Sequence, residues 1–180
     1  MKRTVSLIIS VIMLLSCLVS CSDSSPAVLT LDEHEITEAK YSYWASSHKG
    51  NYMYTYEDIE NTASYWQSEL SEGVTVAEYF DSLTLDSVKA TLINSVLFDK
   101  YGLSFTESEL ESIDAYITDL IKERADGSKN QMNTVLGEYG INLNILRDIY
   151  LDEEKGAKVF EYLYSDEGEM ALSEKDYEQF

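Results

Sequence analysis

After Pro26 the chain contains no further proline, so nothing from there to Phe180 removes a backbone N–H or forces a kink. Eight glycines are the only other strong breaks. So little punctuation is too sparse for a β-sandwich, and the apolar residues recur at helical intervals rather than alternating. The sequence therefore predicts a mainly α fold with a short N-terminal β segment.

Local chemistry sets the expected elements. Ala27 to Leu31 can form a strand, Asp32 and Glu33 a turn, and Ile36 the next apolar position. Thr37 can cap a helix through KYSYWASS, with GNYMYT (Gly50 to Thr55) expected as a loop. Glu57 to Leu70 is expected as a second helix, ended by the Ser71-Glu72-Gly73 turn. Thr75 with Glu78, and Thr106 with Glu109, have capping-box spacing, in which each side chain satisfies the other's exposed backbone N–H. After the first box, Val76, Phe80, Leu83, Val88, Leu92 and Val96 predict a helix as far as Gly102. After the second, Leu110, Ile113, Ile117, Leu120 and Ile121 predict another, ending at Lys122 and Arg124 as helix polarity prefers. A short helix around Met132 and Leu136 and a long one capped by Asn142 complete the pattern. Gly156 inside the long helix is a weak point of about 1 kcal/mol. Ser173 is expected to cap a last helix of barely two turns, too short to stand alone. It either docks on earlier helices or begins a further domain. No internal repeat or extended heptad run is present.

The first twenty residues have a different character. Lys2 and Arg3 precede an apolar run from Val5 to Val19, shorter than the roughly 20 residues of a spanning helix. A charged start and a short apolar core make a secretory signal. Leu18-Val19-Ser20-Cys21 resembles the lipobox of bacterial lipoproteins, which implies cleavage before Cys21 and lipidation of its thiol. Cys17, the other cysteine, would leave with the leader, so no disulfide is expected. Two lipid chains suffice for stable anchoring where one is marginal. The expected organisation is a signal peptide over 1–20, a tether over 21–27, a helical domain over 28–165, and a linker with the start of a further helix over 166–180. The expected location is the outer face of a bacterial cell membrane.

Thirteen basic residues face 33 acidic ones, and losing Lys2 and Arg3 takes the formal charge from −20 to −22. Phosphate contacts need a basic surface, so nucleic acid is excluded as a partner. Basic polypeptides would be attracted. The acids equally serve to keep a helical protein soluble. No glycine-rich phosphate loop, nucleophile elbow or cysteine–histidine pair is present. Of the two histidines, His34 sits in the acidic turn DEHE without further spaced ligands, so neither metal nor cofactor is expected.

One stretch departs from average composition: eight of the 21 aromatic residues fall between Tyr41 and Trp66. Tyr and Trp offer apolar area with a polar edge, which suits variable partners, but such rings also fill cores. Trp44 and Trp66 are expected towards the core, and Tyr52, Tyr54 and Tyr56 towards solvent. Tyr41, Trp44, Tyr52, Tyr54, Tyr56 and Trp66 are the candidate peptide-binding residues.

Taken in order, AVLTLDEHEITEAKYSYW, KYGLSFTESELE, LGEYGINLNILRDIY and ALSEKDYEQF resemble the N-terminal SurA/trigger-factor-like chaperone domain of PrsA-type foldase lipoproteins. That family usually has Asn-Gly where this chain has Asp32-Glu33. The resemblance implies a helical cradle that holds unfolded, newly exported polypeptides near the membrane. In the family a parvulin-type peptidyl-prolyl isomerase domain often follows. None of its residues lies within this chain, so isomerase activity is expected only if a C-terminal domain follows. A surface lipoprotein with one defined partner is the remaining alternative.

Overall fold

A computed structural model of the chain describes residues 25–56, 58–165, 168, 170 and 171. The leader, Cys21 and the helix expected after Ser173 lie outside the described residues. The described part is mainly helical, with two short hairpins.

Strands β1 (Ala27–Leu31) and β2 (His34–Thr37) pair antiparallel, Leu29 opposite Ile36 and Leu31 opposite His34. The turn takes Asp32 to φ 51°, which the short polar side chain of Asp tolerates. Ile36 points into the core and is 1% exposed. Helix α1 (Glu38–Thr55) follows at once. Its first N–H groups are all occupied: Glu38 N donates to the Pro26 carbonyl, Ala39 N to Ser25 Oγ and Lys40 N to Thr37 Oγ1. Ser25, Pro26 and Ala27, expected as tether, are therefore bonded into the fold.

Two local expectations fail. Gly50 to Thr55 is not a loop; α1 runs through it, and Tyr56 N closes the last turn on the Tyr52 carbonyl at 3.0 Å. Tyr52 packs 4.8 Å from Phe80, and this tertiary contact offsets the roughly 1 kcal/mol propensity cost of Gly50. Nor is Glu57 to Leu70 a helix. One turn, α2 (Ala63–Trp66), is capped by Thr62. A hairpin follows, β3 (Glu69–Ser71) with β4 (Val74–Thr75), turning at Gly73 with φ 75°. Ile59, Ala63, Trp66 and Leu70 have helical spacing, but Leu70 lies in the hairpin and stays exposed, so that stripe finds no surface to pack on along its length.

Helix α3 (Val76–Lys100) begins with the Thr75–Glu78 capping box and buries Val76, Thr84, Val88, Leu92, Ser95 and Phe98. The buried Thr84 hydroxyl is satisfied by the Phe80 carbonyl at 2.8 Å. Helix α4 (Glu107–Ala125) begins with the Thr106–Glu109 box, α5 (Lys129–Gly137) is capped by Ser128, and α6 (Leu143–Tyr164) by Asn142. Asn133 Oδ1 accepts from Leu143 N at 2.9 Å, tying α5 to the start of α6.

Helices α3 and α6 form the most extensive contact between helices, and the rest packs around them. A larger apolar core joins Ile113, Ile117 and Ile121 of α4 to Met132, Leu136, Ile145 and Ile149. A smaller one joins Ile36 to Val88 and Leu92 of α3, with Trp44 and Tyr41 against it. A third cluster, Phe98, Val159 and Leu163, lies where α3 and α6 meet. Helix α1 is wedged between both long helices. Lys40 Nζ reaches Asp152 of α6 at 2.5 Å, and Lys155 Nζ reaches the same carboxylate at 2.9 Å. The Lys40 and Asp152 side chains are only 15% and 12% exposed, so removing either partner would leave a charge poorly solvated and unpaired, a larger cost than breaking an ordinary surface pair.

At Gly156 the Asn94 side chain of α3 lies against α6: a Cβ there would lie 2.8 Å from Asn94 Nδ2. Gly156→Ala alone should change stability little, because about 1 kcal/mol of helix propensity is offset by displacing Asn94. In an Asn94→Ala background the same change should stabilise by about 1 kcal/mol in urea unfolding. Equal effects in both backgrounds would mean the helices do not meet at this point.

Candidate functional site

The residues of α1 divide by helical spacing into two stripes. Tyr41, Trp44, His48 and Tyr52 face α3: Tyr41 Oη donates to Asp81 Oδ1 at 2.5 Å, and His48 Nε2 lies 2.9 Å from Ser87 Oγ. Tyr43, Ser46, Ser47, Gly50 and Asn51 face the other way, across an open cleft of about 290 Å³. Its opposite side is apolar, built from Leu136, Tyr139 and Ile141 around the α5–α6 turn with Leu146 and Tyr150 of α6. Small residues on the α1 side leave the space, and the α5–α6 side supplies apolar surface.

The six aromatic candidates separate accordingly. Tyr41 and Trp44 pack on the smaller core and are partly buried, so they hold α1 to α3 rather than lining a groove. Trp66, expected towards the core, is only half-buried. It belongs to a cluster at the far end of α1 whose members are all partly or wholly exposed. There Tyr52 lies 4.9 Å from Tyr56 and 6.5 Å from Trp66, and Trp66 lies 5.6 Å from Phe80 in an edge-on arrangement. The Tyr52 and Tyr65 hydroxyls share a hydrogen bond of 2.7 Å, and Lys49 Nζ sits 4.9 Å above the Trp66 ring. Tyr56 is 54% exposed. Tyr54 is 86% exposed, one turn beyond Gly50 along α1, and is not among the residues that line the cleft.

Sequence reasoning missed Tyr43, Tyr139, Tyr150 and Phe80. The run Ser46, Ser47, Gly50 and Asn51, small and polar opposite an aromatic stripe, was the available signal for a groove. What lies across from it could not be read locally, since Lys40 and Asp152 are 112 positions apart.

The electrostatics follow the geometry. The hydrogen bond to Asp81, then desolvation and the Asp81 charge, push the Tyr41 phenol from 10 up to about 12. Burial, and then the charge of Glu153, push Tyr43 up. Tyr150, beside it on the cleft wall, is also raised, first by burial. These phenols act as neutral hydrogen-bonding edges. His34 Nε2 pairs with Asp99 Oδ2 at 2.9 Å, joining the first hairpin to α3. Among the described residues no group of three or more His, Cys, Asp and Glu is placed to hold a metal ion, and no helix is long and apolar enough to cross a membrane.

The Tyr41 bond has a definite pH signature. A phenol raised in the folded state contributes stability that is complete below its unfolded value of 10 and is lost as pH climbs through about 12. Thermal unfolding of the wild type should decline over that window, and Tyr41→Phe should flatten the decline. An unchanged slope would contradict the Tyr41–Asp81 link.

No protein-family model, curated protein or solved structure matches the chain.

Proposed function

We propose that this chain is a lipid-anchored, extracytoplasmic chaperone-like module that holds unfolded exported polypeptides. The observation that carries this reading is the open cleft between α1 and the α5–α6 turn, walled by the rings of Tyr43, Tyr139 and Tyr150. An extended chain can lay apolar side chains on the rings of Tyr43, Tyr139 and Tyr150, over a floor of buried Leu136, Ile141 and Leu146, while Ser46, Ser47 and Asn51 meet its backbone polar groups. The half-exposed rings of Tyr52, Tyr56 and Trp66 extend the sticky surface around the same end of α1. Tyrosine and tryptophan adapt to many sequences at low entropic cost, as promiscuous holding requires. The leader ending at Cys21 and the resemblance to foldase lipoproteins support the location. The large negative charge limits self-association of a protein with exposed rings.

The test is suppression of aggregation. A disulfide-containing client that aggregates when reduced should scatter less light with an equimolar amount of the domain. Gly50→Leu fills the cleft, and an added Cβ there meets nothing within 4 Å. It also improves helix propensity, so the variant should fold at least as stably as the wild type. Its protection should fall by about tenfold, equivalent to about 1.4 kcal/mol of lost contact. Failure of the wild type to slow aggregation, or full activity of Gly50→Leu, would overturn the proposal.

A further inference from the structure

On the other side of Tyr150 lies a second concavity, of about 450 Å³, between α4 and α6. Helix α4 contributes Ser112, Ile113 and Tyr116, and α6 contributes Tyr150, Glu153 and Glu154. These positions fall at helical spacings of three and four, so each helix presents one coherent face. Ile113 is buried in the core beneath. The Tyr116 and Tyr150 rings stand edge to face, 5.1 Å apart at 88°, giving the concavity an aromatic wall.

The charges of this site are unbalanced. Glu109 at its margin is occupied: it accepts from Thr106 and from Lys158 Nζ at 2.6 Å. Lys155 is turned to Asp152 and Arg147 to Asp114. Glu153 and Glu154 have no hydrogen bond or ion pair among the described residues.

We infer that this tyrosine–glutamate concavity receives an arginine or lysine side chain of the polypeptide lying in the neighbouring cleft. The inference rests on the proposed function, because Tyr150 lines both hollows and makes them neighbours. Charge complementarity selects the occupant. A guanidinium or ammonium over a tyrosine face is attracted by the ring, and carboxylates beside it supply charge-assisted hydrogen bonds. The Glu153 carboxyl supports the same reading: desolvation, then the Glu154 and Asp152 charges, raise its pKa, so its ionised form lacks a counter-charge.

The experiment compares two fluorescently labelled unfolded peptides that differ at one position, arginine in one and uncharged citrulline in the other. Binding to the mature domain is read by anisotropy. The arginine peptide should bind about tenfold more tightly. In the Glu153→Gln/Glu154→Gln variant that advantage should disappear while the citrulline peptide binds as before. A control variant, Glu35→Gln/Glu123→Gln, removes the same charge elsewhere and should retain the advantage. Equal binding of the two peptides to the wild type, or an advantage that survives Glu153→Gln/Glu154→Gln, would overturn the cation site while leaving the proposed function standing. Binding of neither peptide would overturn both.

Discussion

Where Gly156 meets Asn94, α6 gives up a side chain and about 1 kcal/mol of helix propensity so that α3 can lie against it. Past this point Phe98, Val159 and Leu163 close a dry cluster between the same two helices. The remaining elements use that pair as their scaffold. The hairpins and α2 pack on α3, α4 and α5 pack on α6, and α1 lies against both. Arg147 and Lys158 then fix α6 to α4 through Asp114 and Glu109. The Glu109 carboxyl serves two purposes, completing a helix cap and holding a lysine. The lysine first, then the Thr106 backbone and hydroxyl, lower its pKa to about 2.

The wedged position of α1 explains how one aromatic-rich helix does two jobs. Its α3-facing stripe is structural, with Tyr41 and Trp44 packed and bonded. Its opposite stripe is small and polar, and it stands off from α6 although the Lys40–Asp152 link holds the start of the helix close. A helix pinned at one end and spaced by small residues further along leaves an open wedge. The cleft is thus a direct consequence of where the charges and small side chains fall on α1.

The parts legible in the sequence are those fixed within a few residues. The Thr75–Glu78 and Thr106–Glu109 boxes, the Asn142 cap and the Asp32-Glu33 turn form as their local chemistry predicts. The stretch from Gly50 to Leu70 did not, because distant contacts decide it. Tyr52 packs on Phe80 at the end of α1, and the helically spaced Ile59, Ala63, Trp66 and Leu70 are divided between one short turn and a hairpin. The candidate site was half legible for the same reason. Aromatic density drew attention to α1, yet its faces could be assigned only once α3 and α6 were in place.

If the α1/α5–α6 cleft and its aromatic neighbours hold unfolded chain, hydrogen exchange reads that most directly. The protein would be followed with and without a permanently unfolded, carboxymethylated client. Slowed exchange should appear in α1 around Ser46 to Tyr54 and across the α5–α6 turn around Tyr139 to Leu146, with α3 unchanged. Uniform exchange with and without client, or protection confined to helices away from the cleft, would contradict it.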